Sequence, residues 1–104
     1  MLKGTKQQTD GNLMESLKDP QKAAAYLNGH LGANVDGAEE LFLMALRDVA
    51  RARGFGNVAK SADLGRESLY KALSPGGNPK LSTLRSLLKA MGLRLIVEGK
   101  AGAP

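Results

Sequence analysis

Two long stretches of the chain carry apolar residues at the spacing of an α-helix. From Pro20 to Leu31 and from Ala38 to Arg53, apolar side chains recur every three or four residues and therefore share one face. The first stretch has a typical helix start, because Asp19 can accept free backbone N–H groups and proline suits the first helical position. We expect Asp36 to cap the second helix in the same way and Gly54 to end it.

Shorter patterns of the same kind fill the second half of the chain. Three further helices, bounded by glycine or by a loop rich in proline and glycine, are predicted over Asn57–Ala62, Arg66–Leu73 and Ser82–Met91. The run Leu93–Glu98 is instead rich in β-formers and partly alternating, which predicts a strand. A lone strand leaves its backbone unpaired. It could fold back on its own domain, but since no second strand is evident we expect it to pair with the same strand of another copy and form a homodimer. The sequence thus predicts an all-α fold of five helices with one short C-terminal β-strand.

The two ends of the chain differ from this periodic middle. Residues 1–12 are polar and lack any period, so we expect a mobile N-terminal arm. Residues 13–98 are predicted to form a single domain, since 104 residues suffice for one hydrophobic core and not for two. Residues 99–104 are expected to form a disordered tail.

Positive charge is concentrated in the second half of the chain. The formal net charge is +5, but residues 47–104 hold eleven Lys and Arg against four Asp and Glu, whereas residues 1–46 hold four against six. A basic half beside an ordinary core favours a polyanionic partner such as nucleic acid. Excess lysine is also a common means of staying soluble, so charge alone leaves both interpretations open.

Several classes of function find little support in the composition. The chain has no cysteine, which excludes a disulfide framework and a thiolate metal site or nucleophile. Its single histidine, His30, has no carboxylate or hydroxyl at a convincing spacing, so we expect it to pack rather than to bind a metal. No apolar run approaches the ~18 residues needed to cross a bilayer, and no signal-type segment is present. We therefore expect a cytoplasmic protein that is not an enzyme, with no cofactor, no metal site and no membrane contact.

Residues Phe55 to Ser74 match the spacing of a helix-turn-helix. In this motif two short helices cross at a fixed angle, which requires apolar residues at particular positions and a small residue at the crossing. Ala59 supplies the small residue, Asp63-Leu64-Gly65 the turn, and Gly65 is expected to provide the conformational freedom at its exit. The apolar positions are Val58, Ala62, Leu64, Leu69 and Ala72. Two short helices with a tight turn also occur in all-α proteins that never touch DNA, so spacing alone leaves that alternative open.

The exposed face of the second helix favours DNA binding. Its polar side chains are Arg66, Glu67, Ser68, Tyr70 and Lys71. Arg66 can make a bidentate contact to guanine, and Ser68 can bond base edges or phosphate. Lys71 and Tyr70 can anchor phosphates, whereas Glu67 would be repelled unless it accepts from a cytosine amino group or pairs with an arginine. Further along, Lys80 is a candidate contact to the DNA backbone in a segment that also starts the last helix.

Several segments of the chain together resemble one known family. The most specific are Arg-Glu-Ser-Leu-Tyr at residues 66–70 and Gly-Asn-Pro at residues 77–79. The similarity continues through residues 46–54, 64–74 and 84–95, with residues 18–20 and 24–27 upstream. Over roughly residues 17–98 the chain resembles the addiction-module antidote proteins, bacterial regulators with a phage-repressor-like helix-turn-helix. They are generally the antitoxin half of a toxin–antitoxin pair.

The resemblance implies two partners. One is double-stranded DNA, since such a protein binds a palindromic operator in its own promoter as a homodimer and represses transcription. The other is a RelE/ParE-type toxin, which the protein neutralises. Carried over by position, the recognition helix is Arg66–Leu73 and Lys60 on the preceding helix contacts a phosphate. The chain departs from the broader repressor class at Phe55-Gly56, where Ser-Gln often stands and the glutamine grips the DNA backbone.

Two hypotheses of function therefore remain open. The protein is either an autorepressing antitoxin or a stand-alone repressor with no toxin partner. The sequence does not separate them, because a toxin would bind the N-terminal half, where a binding helix looks like any other. A third possibility is an adaptor that has kept the fold and lost DNA binding, and the basic exposed helix argues against it.

Overall fold

The computed structural model of the protein describes residues 12–32 and 35–99. Within these ranges the chain forms six helical segments and no β-strand. They are a helical turn α1 (residues 12–16), α2 (Pro20–Leu31), α3 (Ala38–Arg53), α4 (Phe55–Ser61), α5 (Arg66–Ala72) and α6 (Leu81–Ala90). The all-α class agrees with the sequence, but the count of five helices is wrong because α1 adds a sixth. Apart from Asn12 and Gly99, the predicted arm and tail lie outside the described residues.

The β-strand predicted over Leu93–Glu98 is wrong. These residues are not paired with any strand of the described chain, and the backbone hydrogen bond from Leu93 N–H to Leu88 O (2.7 Å) belongs to the end of α6. Strand propensity measures how well side chains pack on a pleated sheet, and a single segment offers no ladder to pack into. The homodimer expected from strand pairing loses this structural basis.

The start of α2 is as predicted and the start of α3 is not. Asp19 Oδ1 accepts from the Gln21 N–H at 3.4 Å, and Pro20 occupies the first helical position. At α3 the cap residue is Gly37, with φ +79°, and no side chain caps the helix. The expected cap Asp36 therefore stands one residue too early to accept from the first turn.

A single glycine joins α3 to α4. The Gly54 N–H donates to Arg51 O at 3.1 Å and ends α3, while the Gly54 carbonyl accepts from Val58 N–H at 3.0 Å and begins α4. Its φ of +95° is a conformation that side chains rarely adopt. Because no linker intervenes, α4 begins at Phe55 rather than at the predicted Asn57.

The short helix α4 is the centre of the domain. It packs against α3, α5 and α6, while α2 packs against α3. Its inward residues Phe55, Val58 and Ala59 are all buried. The rest of the core comes from the neighbouring helices and turns, namely Leu17, Ala23, Leu27, Leu43, Ala45, Leu46, Val49, Ala50, Ala62, Leu69, Leu73, Leu87, Leu88 and Met91. These buried residues form one core cluster. Among residues 12–32 and 35–99 none of the helices could serve as a membrane span.

A side-chain hydrogen bond links α2 to α3, and an ion pair within α3 lies beside it. The Tyr26 hydroxyl donates to Asp48 Oδ2 at 2.8 Å, and Asp48 Oδ1 also lies 3.7 Å from Arg51 Nη1. Burial, and after it the hydrogen bond and the charge of Asp48, raise the pKa of Tyr26 to about 12. On the next turn, His30 Nδ1 lies 2.8 Å from Tyr26 O and its ring packs edge-on against the tyrosine. His30 is therefore a packing residue, as the sequence indicates.

Candidate nucleic-acid interface

The turn between α4 and α5 is closed by two backbone hydrogen bonds. Leu64 N–H donates to Ala59 O at 2.8 Å, and Asp63 N–H donates to Lys60 O at 3.1 Å. This pair of bonds is the Schellman arrangement, which needs a left-handed residue after the helix cap. Here that residue is Asp63, with φ +58°, in a position usually taken by glycine.

The conformational freedom predicted for Gly65 is not used. Its φ of −72° and ψ of 154° are extended backbone that any residue adopts, and an added Cβ would meet no atom within 4 Å. The role of Gly65 is to precede α5, where its carbonyl accepts from Leu69 N–H at 3.0 Å. The sharp change of direction therefore depends on Asp63.

Two leucines hold α5 on the domain. Leu69 and Leu73 are both fully buried, and their spacing of four residues places them on one side of the helix. Ala59 on α4 is also buried, which allows the two short helices to approach closely. Leu64 in the turn is half-buried against the same cluster. One side of α5 is thereby fixed and the other side faces solvent.

The structure places the seven predicted DNA-contacting residues on the surface. The five on α5 share its outward side, while Lys60 lies near the end of α4 and Lys80 directly precedes α6. All seven side chains are exposed, namely Lys60, Arg66, Glu67, Ser68, Tyr70, Lys71 and Lys80. The α5 residues thus form one continuous polar surface, and the two lysines stand on the elements that flank it.

Glu67 has a structural reason to be where it is. It lies in the first turn of α5, where the positive end of the helix dipole favours a carboxylate. Within the described residues it takes part in no ion pair. Its carboxylate is therefore stabilised by the helix itself and remains available to an incoming hydrogen-bond donor.

Tyr70 combines exposure with a packing role that the sequence did not reveal. Its ring lies against Phe55, with the centroids 4.4 Å apart and the planes inclined by 32°. Phe55 is 8% exposed beneath it, while Tyr70 remains 39% exposed. The aromatic pair joins the first residue of α4 to the outward side of α5. Phe55 thus supports the outward side of α5 from within the fold.

The loop after α5 folds back under the end of that helix. Gly77 N–H donates to Ser74 O at 2.8 Å, and the Ser74 hydroxyl donates to Lys71 O at 2.8 Å. A Cβ at Gly77 would lie 2.5 Å from Ala72 O and 2.7 Å from Lys71 O, closer than atoms can approach. The close passage of the loop therefore requires glycine at this position, a feature the sequence analysis missed.

The chemistry available at this surface is recognition by hydrogen bonds and charge. Over residues 12–32 and 35–99, no group of three His, Cys, Asp or Glu side chains is placed to hold a metal ion. Arginine, serine and lysine on an exposed helix supply donors suited to base edges and phosphates. The exposed side of α5 therefore offers several hydrogen-bond donors and two positive charges, at Arg66 and Lys71, beside one carboxylate, at Glu67.

Comparison with known proteins identifies the family. A family model described as "Probable addiction module antidote protein" matches residues 7–99. The chain is also 40% identical over 95 residues to an uncharacterized protein of Haemophilus influenzae (strain ATCC 51907 / DSM 11121 / KW20 / Rd), covering 90% of this chain and 94% of that relative. No solved structure matches significantly. On the extent of these matches, the chain belongs to the addiction module antidote protein family.

Proposed function

We propose that this protein is an antitoxin that binds its own operator DNA in the cytoplasm and represses the operon encoding it. The observation that carries the proposal is the division of α5 into two sides. Leu69 and Leu73 are fully buried, whereas the predicted base-reading and phosphate-binding residues are all exposed. Membership of the antidote family supports the antitoxin role and a regulatory, non-enzymatic protein.

In the proposed mechanism α5 enters the DNA major groove. A helix in that groove presents its N-terminal residues to base edges, which assigns Arg66 and Ser68 to sequence reading. Lys71 and the Tyr70 hydroxyl then meet phosphates on one side of the groove. Lys60 and Lys80 contact the backbone from the flanking elements and fix the orientation of the domain.

A homodimer is proposed because a palindromic operator has two half-sites related by a two-fold axis. Exposed apolar side chains at Ile96 and Val97 support a self-interface at the C-terminal segment. Ile96 is 65% exposed and Val97 is 93% exposed, so a contact between two copies there would remove two adjacent apolar side chains from water. Ile96→Asp with Val97→Asp should yield monomers in sedimentation, whereas Val35→Asp, at another exposed valine, should leave the dimer intact.

The proposed toxin-binding surface lies on the N-terminal half. Exposed apolar side chains occur at the end of α2, in the segment that follows it and on α3, and two acidic residues lie in the first turn of α3. The apolar set is Leu31, Val35, Leu41 and Met44, and the acidic pair is Glu39 and Glu40. Such a surface suits a basic protein partner, which is consistent with a RelE/ParE-type toxin.

The DNA-binding proposal is tested with the promoter of the protein's own operon. The wild-type chain should bind this duplex far more tightly than a scrambled duplex of equal length, in fluorescence anisotropy at physiological salt. The double variant Arg66→Ala/Lys71→Ala should lose that preference. If the double variant binds the promoter as the wild type does, α5 is not the recognition helix.

The antitoxin proposal is tested with the protein encoded by the neighbouring reading frame. Expression of that protein alone should arrest growth, and co-expression of the antidote chain should restore it. Leu41→Asp with Met44→Asp should abolish rescue while operator binding is retained. Operator binding without any rescue by the wild type would favour the stand-alone repressor instead.

A further inference from the structure

A trough with a strongly cationic lining runs along α6, the helix that packs on α4. It lies between α6 and residues 93–95, and the open space between them has a volume of about 650 Å³. Its lining residues are Ser82, Arg85, Ser86, Lys89, Leu93, Arg94 and Leu95. None of these carries a carboxylate, so the lining contributes three positive charges and no negative one.

The spacing of the α6 residues aligns them in a row. Ser82, Arg85, Ser86 and Lys89 stand at positions i, i+3, i+4 and i+7, which share one side of a helix. The opposite side of α6 carries Leu87 and Leu88 into the core. The polar side chains in the row are all exposed, so the trough is open to solvent along its length.

The third cation of the trough, Arg94, follows α6 and lies beside it because the chain reverses direction after the helix. At the end of α6, Gly92 N–H donates to Lys89 O at 3.0 Å and Leu93 N–H donates to Leu88 O at 2.7 Å. Gly92 takes the required left-handed conformation, with φ +76°. The following residues turn back beside α6 and bring Arg94 to the same trough as Ser82.

The three cations of the trough have no intramolecular partner among the described residues, in contrast to some cations near α2 and α3. Lys18 pairs with Glu15 at 3.3 Å, Arg51 pairs with Asp48, and Arg53 Nη1 donates to Lys18 O at 2.7 Å. No such ion pair or hydrogen bond is found for Arg85, Lys89 or Arg94 within residues 12–32 and 35–99. Three exposed positive charges held side by side without a counter-charge favour an anionic ligand.

We propose that this trough is a second DNA-binding surface, which holds the phosphate backbone beside the segment read by α5. The row from Ser82 to Lys89 spans roughly 10 Å of helix axis, which is the axial length of about three phosphates on one DNA strand. The trough also begins two residues after Lys80, a predicted phosphate contact. Arginine and lysine neutralise the phosphates while the two serine hydroxyls donate to their oxygens. The inference rests on the proposed function, since α5 sets where the DNA lies.

The test compares two variants that remove the same charge from different surfaces. Arg85→Gln/Lys89→Gln removes two positive charges from the trough, and Lys18→Gln/Lys22→Gln removes two from exposed positions around the start of α2. Glutamine keeps the helix propensity of the residues replaced. Binding to the operator and to a scrambled duplex is measured by anisotropy over a range of salt concentrations.

For the trough variant we expect weaker binding to both duplexes by the same factor, roughly 10- to 30-fold near physiological salt, because two phosphate contacts are lost. The slope of log K against log salt should fall by about 1.8, and the preference for operator over scrambled DNA should not change. Arg94→Gln added to this variant should lower the slope further. The α2 variant should stay within about twofold of the wild type, since distant surface charges are screened.

Two results would overturn the proposal. One is equal DNA binding by the trough and α2 variants. The other is a trough variant that sediments at half the wild-type mass, because the trough would then be an interface between copies. Failure of the proposed function gives a different result, namely a wild-type chain that does not distinguish operator from scrambled DNA. Even then, a smaller slope of log K against log salt for the trough variant than for the wild type would show that the trough binds phosphates, and an equal slope would show that it does not.

Discussion

The ring of Tyr70 lies against the ring of Phe55, with centroids 4.4 Å apart and planes inclined by 32°. Phe55 is the first residue of α4 and Tyr70 belongs to α5, so the pair bridges the outer ends of the two helices. Leu69 and Leu73 fix the inner side of α5, and the aromatic pair adds a contact nearer the exposed side. The position of the outward side of α5 therefore depends on the packing of Tyr70 against Phe55 as well as on the buried leucines.

The first prediction concerns this aromatic pair. Phe55→Leu and Tyr70→Leu should each destabilise the fold, and the double variant should lose less than the sum of the two. The expected coupling is about 0.5–1.5 kcal/mol, measured by urea unfolding in a double-mutant cycle. Tyr70→Phe keeps both rings and serves as the control. Strictly additive losses would mean that the ring contact contributes nothing to stability.

The second prediction separates Asp63 from Gly65. Asp63→Val should lower the free energy of unfolding by about 1–2 kcal/mol, because a β-branched residue is strained at φ +58°. Asp63→Asn should have little effect. Gly65→Ala should be neutral or stabilising by about 0.4–1 kcal/mol, because the backbone there suits any residue. A larger loss at Gly65 than at Asp63 would contradict the turn geometry.

The third prediction compares two glycines in thermal unfolding. Gly77→Ala should destabilise the domain, since its Cβ would lie 2.5 Å from the carbonyl oxygen of Ala72 and the loop would have to move. Gly56→Ala is the matched control, because Gly56 lies within α4 and its Cβ would meet nothing within 4 Å. That control should gain about 0.5–1 kcal/mol. Equal behaviour of the two variants would disprove the close approach of the loop to α5.

The fourth prediction is a loss of stability at high pH. The pKa of Tyr26 is about 12 in the folded chain, against a usual value of 10.0. Between these values the folded chain keeps a proton that the unfolded chain releases, so the contribution of Tyr26 is full below pH 10 and declines toward pH 12. Tyr26→Phe should flatten this part of the stability profile, followed by circular dichroism in urea.

The matched control for the pH dependence is Tyr70→Phe, which leaves the Tyr26 hydrogen bond to Asp48 intact. It should retain the alkaline decline of the wild type. Asp48→Asn should lessen the decline, because the negative charge that opposes ionisation of Tyr26 is gone. An unchanged profile in Tyr26→Phe would assign the decline to other groups.

The fifth prediction distinguishes reading from anchoring on α5. Arg66→Ala should cost about 1–3 kcal/mol of binding at particular operator positions and relax the sequence preference there. Lys71→Ala should weaken all DNA sequences alike and reduce the salt slope by about 0.9. Binding to a panel of operator variants with single base changes provides the measurement. If Arg66→Ala weakened binding to all operator variants equally, Arg66 would be a phosphate contact and not a base-reading residue.

The long helices were predictable because their signals are local. The bounds of α2 and α3 follow from apolar periodicity together with Asp19-Pro20 at one start and Gly54 at one end. The class of fold and the exposed side of α5 follow from the same periodicity. Each of these features depends on residues within a few positions of one another, which a single sequence records directly.

The features that were missed depend on contacts across the fold. Leu93–Glu98 looks like a strand because its residues suit a sheet, yet the described chain offers it no partner. Phe55 and Tyr70 are 15 residues apart, and only the angle of the turn brings their rings together. Asp63 carries the left-handed backbone although glycine follows two residues later. The local sequence identified the turn. The packing of α4 against α5 determined that Asp63, and not Gly65, adopts the left-handed conformation.

Gly54 makes α3 and α4 share one backbone joint without a linker. The orientation of α4 is therefore set through one residue by α3, the longest helix of the described chain, and α5 packs on α4 in turn. The direction in which the outward side of α5 faces is thus tied to the axis of α3 by a joint of a single glycine.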